Sequence, residues 1–154
     1  MRRFQAWAGL TPDGVAGAAT LAALRRPPAR SPLRLLRPVP DPVGDGFGPR
    51  GVTFHPGLDL VSPAGRPVYA GAAGCVEVAH RDTGGYGKLV VLRHGAGMTS
   101  WYAHLSRISV RRGQCVAAGA LLGKVGATGH ATGPHLHFEL RLRGAAVDPA
   151  PVTG

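Results

Sequence analysis

A chain of 154 residues with a 44% apolar share has room for one ordinary domain and a short appendage, and is too apolar to be disordered throughout. No run of about 18 apolar residues occurs, so no membrane-spanning helix is expected. The net charge of +10 is uneven, residues 1–40 holding seven arginines against Asp13 alone; the mildly basic remainder, without an interleaved basic and aromatic face, argues against nucleic acid and leaves an anionic wall or membrane surface as the partner.

Met1-Arg2-Arg3 imitates the start of a signal peptide, but Gln5 interrupts the apolar run and Pro12-Asp13 ends it, so no export signal is expected within the chain. Phe4, Trp7 and Leu10 recur at intervals of three, a helical stripe closed by turn chemistry at Thr11-Pro12-Asp13-Gly14, and a second stripe follows at Leu21 and Leu24. Phe4-Gln5, Gly9-Leu10, Asp13-Gly14, Gly17 and Thr20 to Leu24 resemble the second half of the peptidoglycan-binding repeat found on bacterial wall hydrolases. A segment of residues 1–26 is too short to bury a core of its own, so either it docks on the rest of the chain or the true start lies upstream. From Pro27 to Pro42 come six prolines with interspersed arginines and almost no periodicity, which predicts an extended linker over 27–43.

From Gly44 onward, short apolar segments punctuated by glycine predict strands over 67–70, 75–80, 88–94, 99–104, 108–110, 121–125 and 136–142, with turns at 81–86 and 95–97. The expected fold of residues 44–154 is all-β and antiparallel. Gly113, Val116, Gly119, Leu122 and Gly126 resemble the flattened barrel of biotinyl and lipoyl carrier domains, a barrel-sandwich hybrid. A carrier function does not follow, because Lys124 lies inside an apolar strand rather than at a hairpin tip flanked by methionines. Cys75 and Cys115 are too few for a thiolate zinc cluster, leaving two buried thiols or, in an exported protein, one disulfide.

Two stretches concentrate metal-ligating chemistry. Read as a strand, Gly133-Pro134-His135-Leu136-His137-Phe138-Glu139-Leu140 sends His135, His137 and Glu139 to one face and Leu136, Phe138 and Leu140 to the other. Phe54-His55-Pro56-Gly57-Leu58-Asp59-Leu60 sets a histidine and an aspartate four apart, and in an extended segment these share a face. Imidazole and carboxylate are zinc ligands, and a catalytic zinc keeps three protein ligands with one open position, so His55, Asp59 and one histidine of the 135/137 pair would make such a set. Alternation places His104 on the face of Tyr102, away from Trp101 and Ala103, and leaves His80, His94 and His130 without a role.

Gly46-Phe47-Gly48-Pro49-Arg50, His55 to Asp59, Tyr102 to Ser106, Thr128-Gly129 and Thr132 to Glu139 together resemble the lysostaphin-type zinc metallo-endopeptidases over about residues 44–150. That family cuts the peptide cross-bridges or stems of bacterial peptidoglycan. The resemblance implies one Zn2+ bound by His55, Asp59 and His137, with His104 and His135 as unligated catalytic histidines. Tyr102 and Arg50 are candidate contacts to the oxyanion and the substrate, and Glu139 could orient a metal-bound imidazole. The expected protein is thus a monomeric wall endopeptidase acting outside the cell, in the wall or the periplasm, on peptidoglycan and near anionic wall polymers. The alternative is a silent wall-binding module that activates another hydrolase; with all five expected polar residues present, activity is the favoured reading.

Overall fold

The computed structural model describes residues 1–8, 10–25 and 35–153. The chain divides into two compact units, Met1–Pro32 and Leu33–Gly154, considered separately below.

In the N-terminal unit, α1 (Arg2–Trp7) and α2 (Ala18–Arg25) flank a turn. The turn is organised by a polar hub. Buried Gln5 donates from Nε2 to Asp13 Oδ1 at 2.6 Å, to the Val15 carbonyl at 2.9 Å and to Thr20 Oγ1 at 3.1 Å, while its Oε1 accepts from the Gly14 N–H at 2.8 Å. A buried amide is tolerated only when its hydrogen bonds are made, and these four supply them. The expected apolar stripe of α2 does not form an interior here: Leu21 and Leu24 are 44% and 53% exposed.

The larger unit is all-β. Its strands are β1 (Val43–Asp45), β2 (Gly48–Arg50), β3 (Thr53–His55), β4 (Leu58–Val61), β5 (Pro67–Tyr69), β6 (Gly74–Asp82), β7 (Gly87–Gly95), β8 (Met98–Leu105), β9 (Arg107–Ile108), β10 (Cys115–Val116), β11 (Leu121–Lys124), β12 (His135–Leu142) and β13 (Ala145–Val147), followed by a 3-10 turn at Ala150–Val152. One large sheet runs in the order β1-β4-β12-β8-β7-β6-β10, with β13 also paired to β12; β5-β11-β9 form a second sheet and β2-β3 a hairpin. All strand pairs are antiparallel. The sheets stack as a sandwich without closing into a barrel.

Period-two alternation builds the core. Leu60, Val90, Leu92, Tyr102, Leu136 and Phe138 from the large sheet and Val68 and Leu122 from the small one form a single buried cluster. On the opposite face of β7 and β8, Leu89, Val91 and Ala103 pack with Val78, Tyr86 and Trp101. This smaller cluster is the floor beneath the histidines.

The expected linker, 27–43, needs correction at its C-terminal end. Residues 26–34 lie outside the described residues, but from Leu35 onward the chain straps the sandwich: Leu35 and Val39 are fully buried members of the core. The Leu35 N–H donates to the Val152 carbonyl and the Leu36 N–H to the Gly71 carbonyl, both at 2.8 Å, and the Pro38 carbonyl accepts from the Tyr69 N–H at 3.0 Å. An extended, proline-rich strand satisfies few donors internally, so it finds partners at a sheet edge. Cys75 and Cys115 face each other across β6 and β10 and form a disulfide.

Candidate active site

Strand register delivers the first three side chains. β12 pairs antiparallel with β4 so that His137 lies opposite Asp59, and β3, two residues before β4, brings His55 beside them. His55 Nε2 is 3.1 Å from both Asp59 Oδ1 and His137 Nδ1, and His137 Nδ1 is 2.7 Å from Asp59 Oδ1. These three donor atoms form the one candidate metal cluster among the described residues.

The proton inventory shows what such a triangle can hold. His55 Nδ1 donates to the Gly46 carbonyl at 2.6 Å, and His137 Nε2 donates to Glu139 Oε1 at 2.9 Å. With a metal bound, each ring would be neutral and turn a lone pair inward beside the Asp59 carboxylate. In the metal-free protein burial disfavours the His137 imidazolium, but its bonds to Asp59 and Glu139 favour it by more, and its Nδ1–H then donates to Asp59. The three atoms converge at 2.7–3.1 Å, so a cation bound between them would take the place of the proton that His137 Nδ1 shares with Asp59. Ligands about 2.0–2.1 Å from a tetrahedral zinc lie roughly 3.3 Å apart, so the donor set and its size both fit that ion.

The carboxylates are tuned by their partners. Burial alone would push the Asp59 carboxyl up, but hydrogen bonds from His137 and Arg50 hold it well below the ordinary carboxylate value. Arg50, expected at the substrate, places Nη2 3.0 Å from Asp59 Oδ2 and 2.8 Å from Asp45 Oδ2, clamping the outer oxygen of Asp59. Glu139 is fully buried; burial raises its carboxyl, and bonds from His137, Arg141 and Tyr86 lower it by more.

His104 and His135 lie beside this triangle. Their rings are 4.7 Å apart, and the His104 ring is 5.8 Å from that of His137. Each gives its Nδ1 proton to a backbone carbonyl, His104 to Thr128 at 2.7 Å and His135 to Gly133 at 2.9 Å, so each neutral ring keeps an Nε2 lone pair. Burial holds the His104 imidazolium less stable than usual, against the opposing pull of the Thr128 carbonyl.

Alternation misplaces one member of this group. Tyr102 is fully enclosed in the core, its hydroxyl accepting from the Gly71 N–H and bonded to Ser100 Oγ, both at 2.9 Å, and its ring 5.3 Å from Phe138. The expected oxyanion contact of Tyr102 therefore has no geometric basis. Strict alternation would bury His104 beside it, but the β7–β8 register shifts between Lys88 and Val90, and His104 adopts φ 60°. The bulge turns His104 to the opposite face, the re-aiming that bulges commonly perform beside functional sites.

Two residues here have no counterpart in the sequence expectations. Tyr86 donates its hydroxyl to Glu139 Oε1 at 2.7 Å, and Arg141 donates from Nε to Glu139 Oε2 at 2.6 Å. Arg141 could have been found by extending the β12 alternation past Glu139; Tyr86 sits in a turn, where no period marks it. Of the histidines given no role, His94 bonds the Ala73 carbonyl and Ser100 Oγ, each at 2.7 Å, and His80 bonds the Arg81 carbonyl at 2.8 Å.

Residues 53–149 match the family described as "Peptidase family M23", and residues 1–24 match "Putative peptidoglycan binding domain". The DD-carboxypeptidase/endopeptidase Mpg of Neisseria meningitidis is 46% identical over 99 residues, covering 64% of this chain and 23% of that protein. The chain thus spans less than a quarter of the length of this curated relative. Among solved structures, the catalytic domain of lysostaphin from Staphylococcus simulans superposes with a TM-score of 0.67 at 34% identity, covering 72% of this chain and 90% of that one. A zinc containing peptidase from Vibrio cholerae gives 0.69 at 34% identity, over 79% of this chain and 39% of the other. The family match extends across the sandwich from β3 to the end of β13 and takes in all five polar residues gathered at the site, so the chain belongs to peptidase family M23.

Proposed function

We propose that the chain is a zinc-dependent endopeptidase that hydrolyses peptide cross-links or stem peptides of bacterial peptidoglycan. The observation that carries this reading is the convergence of three metal-ligating atoms, on His55, Asp59 and His137, beside two histidines whose Nδ1 atoms are engaged by backbone carbonyls. A bound zinc would supply Lewis acidity at the scissile carbonyl and a water acidified toward neutral pH. The residues do the rest. His104 Nε2, its lone pair fixed by the Thr128 carbonyl, takes the proton of the attacking water and returns it to the leaving amine. His135, whose Nε2 lies 3.7 Å from Asp59 Oδ1, shares with His104 the tasks of moving the proton and steadying the developing oxyanion. Arg50 holds Asp59 in place and, partly exposed, stays the candidate contact to substrate.

Three further features agree with this reading. Three of the relatives are named peptidoglycan DD-endopeptidases, the activity proposed here. A disulfide between Cys75 and Cys115 suits an oxidising location such as the wall or periplasm. Residues 1–26, with their excess of arginine, would contribute wall affinity, including for anionic wall polymers.

The test is release of peptides from isolated cell walls, with the new termini identified by mass spectrometry and zinc content measured alongside. His137→Ala should lose zinc. His104→Ala should keep zinc and lose about 10²–10⁴-fold in rate, the usual contribution of a positioned acid–base group. Full wall-lytic activity in zinc-loaded His104→Ala protein would overturn the assignment of His104.

A further inference from the structure

The geometry points to Tyr86, acting with Glu139 and Arg141, as a positioning residue that couples metal ligand His137 to catalytic His104. This role rests on the zinc-peptidase reading above and goes beyond it, since neither Tyr86 nor Arg141 is needed to bind a metal or move a proton.

Three side chains close a ring of hydrogen bonds behind His137. Glu139 Oε1 accepts from His137 Nε2 at 2.9 Å and from the Tyr86 hydroxyl at 2.7 Å, and Oε2 accepts from Arg141 Nε at 2.6 Å. Arg141 Nη2 donates in turn to the Tyr86 oxygen at 2.9 Å, and its guanidinium lies 3.9 Å from the centroid of the Trp101 ring. The proton order runs one way, from Arg141 to Tyr86 to Glu139. Glu139, an ionised carboxylate, can only accept, so the ring nitrogen of His137 facing it must be its donor. A neutral His137, the form that binds a metal, then keeps its lone pair on Nδ1, the atom turned to Asp59 and His55. A carboxylate with no exposed surface is costly unless fully paired, so this ring cannot be an incidental surface contact.

Tyr86 reaches the other half of the site through its main chain. Its carbonyl accepts from the His104 N–H at 2.9 Å, at the residue whose φ of 60° turns the imidazole out of the core. The turn itself is fixed on both sides. The Tyr86 N–H donates to Asp82 Oδ2 at 3.1 Å, and the flanking Gly85 carbonyl accepts from the His130 N–H at 2.8 Å. A side chain at Gly87 would strike the backbone of Thr128, whose carbonyl holds His104 Nδ1. One turn residue therefore sets the tautomer of a ligand with its hydroxyl and the backbone of a catalytic histidine with its carbonyl.

The experiment measures zinc affinity of the full chain by equilibrium competition with a chromophoric chelator, alongside thermal unfolding of the metal-free proteins. Tyr86→Phe removes one oxygen and keeps ring and backbone. It should bind zinc several-fold more weakly than wild type, a loss read separately from any fall in the stability of the metal-free form, since the hydroxyl also pairs with buried Glu139. Glu139→Gln should lose about 10–100-fold in affinity, the range typical of partners behind a metal ligand. In the Glu139→Gln background the further change Tyr86→Phe should cost little more, because the two act through one contact. If Glu139→Gln does not fold, Tyr86→Phe decides alone. Wild-type zinc uptake with an unchanged affinity in folded Tyr86→Phe overturns the positioning role and leaves the peptidase reading standing. Wild-type protein that takes up no zinc overturns the metal reading, and this role with it.

Discussion

His104 and Tyr102 are two residues apart on one strand, yet one faces the site and the other the core. The separation rests on a single backbone feature, the bulge that gives His104 φ 60°, a region costing a non-glycine residue about 1–3 kcal/mol. Bonds from His104 to the carbonyls of Tyr86 and Thr128 offset that cost. The placement of Tyr102 makes a direct prediction. Tyr102→Phe leaves the Gly71 N–H and the Ser100 hydroxyl short of a partner in the core, so it should destabilise the sandwich by about 1–3 kcal/mol in denaturant unfolding. Wall hydrolysis by the folded variant should be unchanged; a loss of turnover without a loss of stability would return Tyr102 to the site.

At the scale of elements, the site is assembled by loops held against one another as much as by strands. Thr128 Oγ1 accepts from the Lys88 N–H and donates to the Leu105 carbonyl, both at 2.9 Å, tying the loop before β12 to β7 and β8. Gly129, at φ 76°, lets that loop lie directly on the backbone of Gly85 and Gly87, where an added Cβ would collide. Gly129→Ala should therefore push the two loops apart, lowering stability by about 1–3 kcal/mol. Because Thr128 moves with it, hydrolysis should slow while zinc content stays as in wild type, which metal analysis and a lysis assay together would show. The N-terminal unit follows a different rule, with buried Gln5 rather than an apolar stripe joining its turn to α2.

For the larger unit as a whole, the Cys75–Cys115 bond closes a loop with a sequence separation of 40 at the edge strand β10. By the chain-entropy account, cross-linking a loop of that length stabilises by about 4 kcal/mol. The double change Cys75→Ser and Cys115→Ser should lower unfolding stability by roughly that amount while leaving zinc binding in the folded protein intact, since the bond ties β6 and β10 and no site residue lies on either strand. Charge belongs to this scale too. The seven arginines of residues 1–40 give that stretch most of the net charge of +10, which favours an anionic partner.

The sequence by itself determined the class of fold and the identity of the converging side chains. Glycine-punctuated alternation is a local property, and it marked β7, β8, β11 and β12 closely and set His135, His137 and Glu139 on one face. The motifs from Gly46 to Glu139, in order, then supplied the resemblance. Only tertiary structure decided which neighbours those side chains meet. The strap at Leu35 and Val39 escapes a periodicity test because prolines break its pattern and its partners are remote in sequence. The turn of His104 out of the core depends on a register shift against β7, and the disulfide depends on β10 lying opposite β6. Tyr86 and Arg141 gain their meaning from Glu139, 53 residues from the first and two from the second. Local pattern fixes which way a side chain points along a regular strand; bulges, turns and cross-sheet contacts fix what it touches, and at this site those contacts set the tautomers on which the proposed chemistry depends.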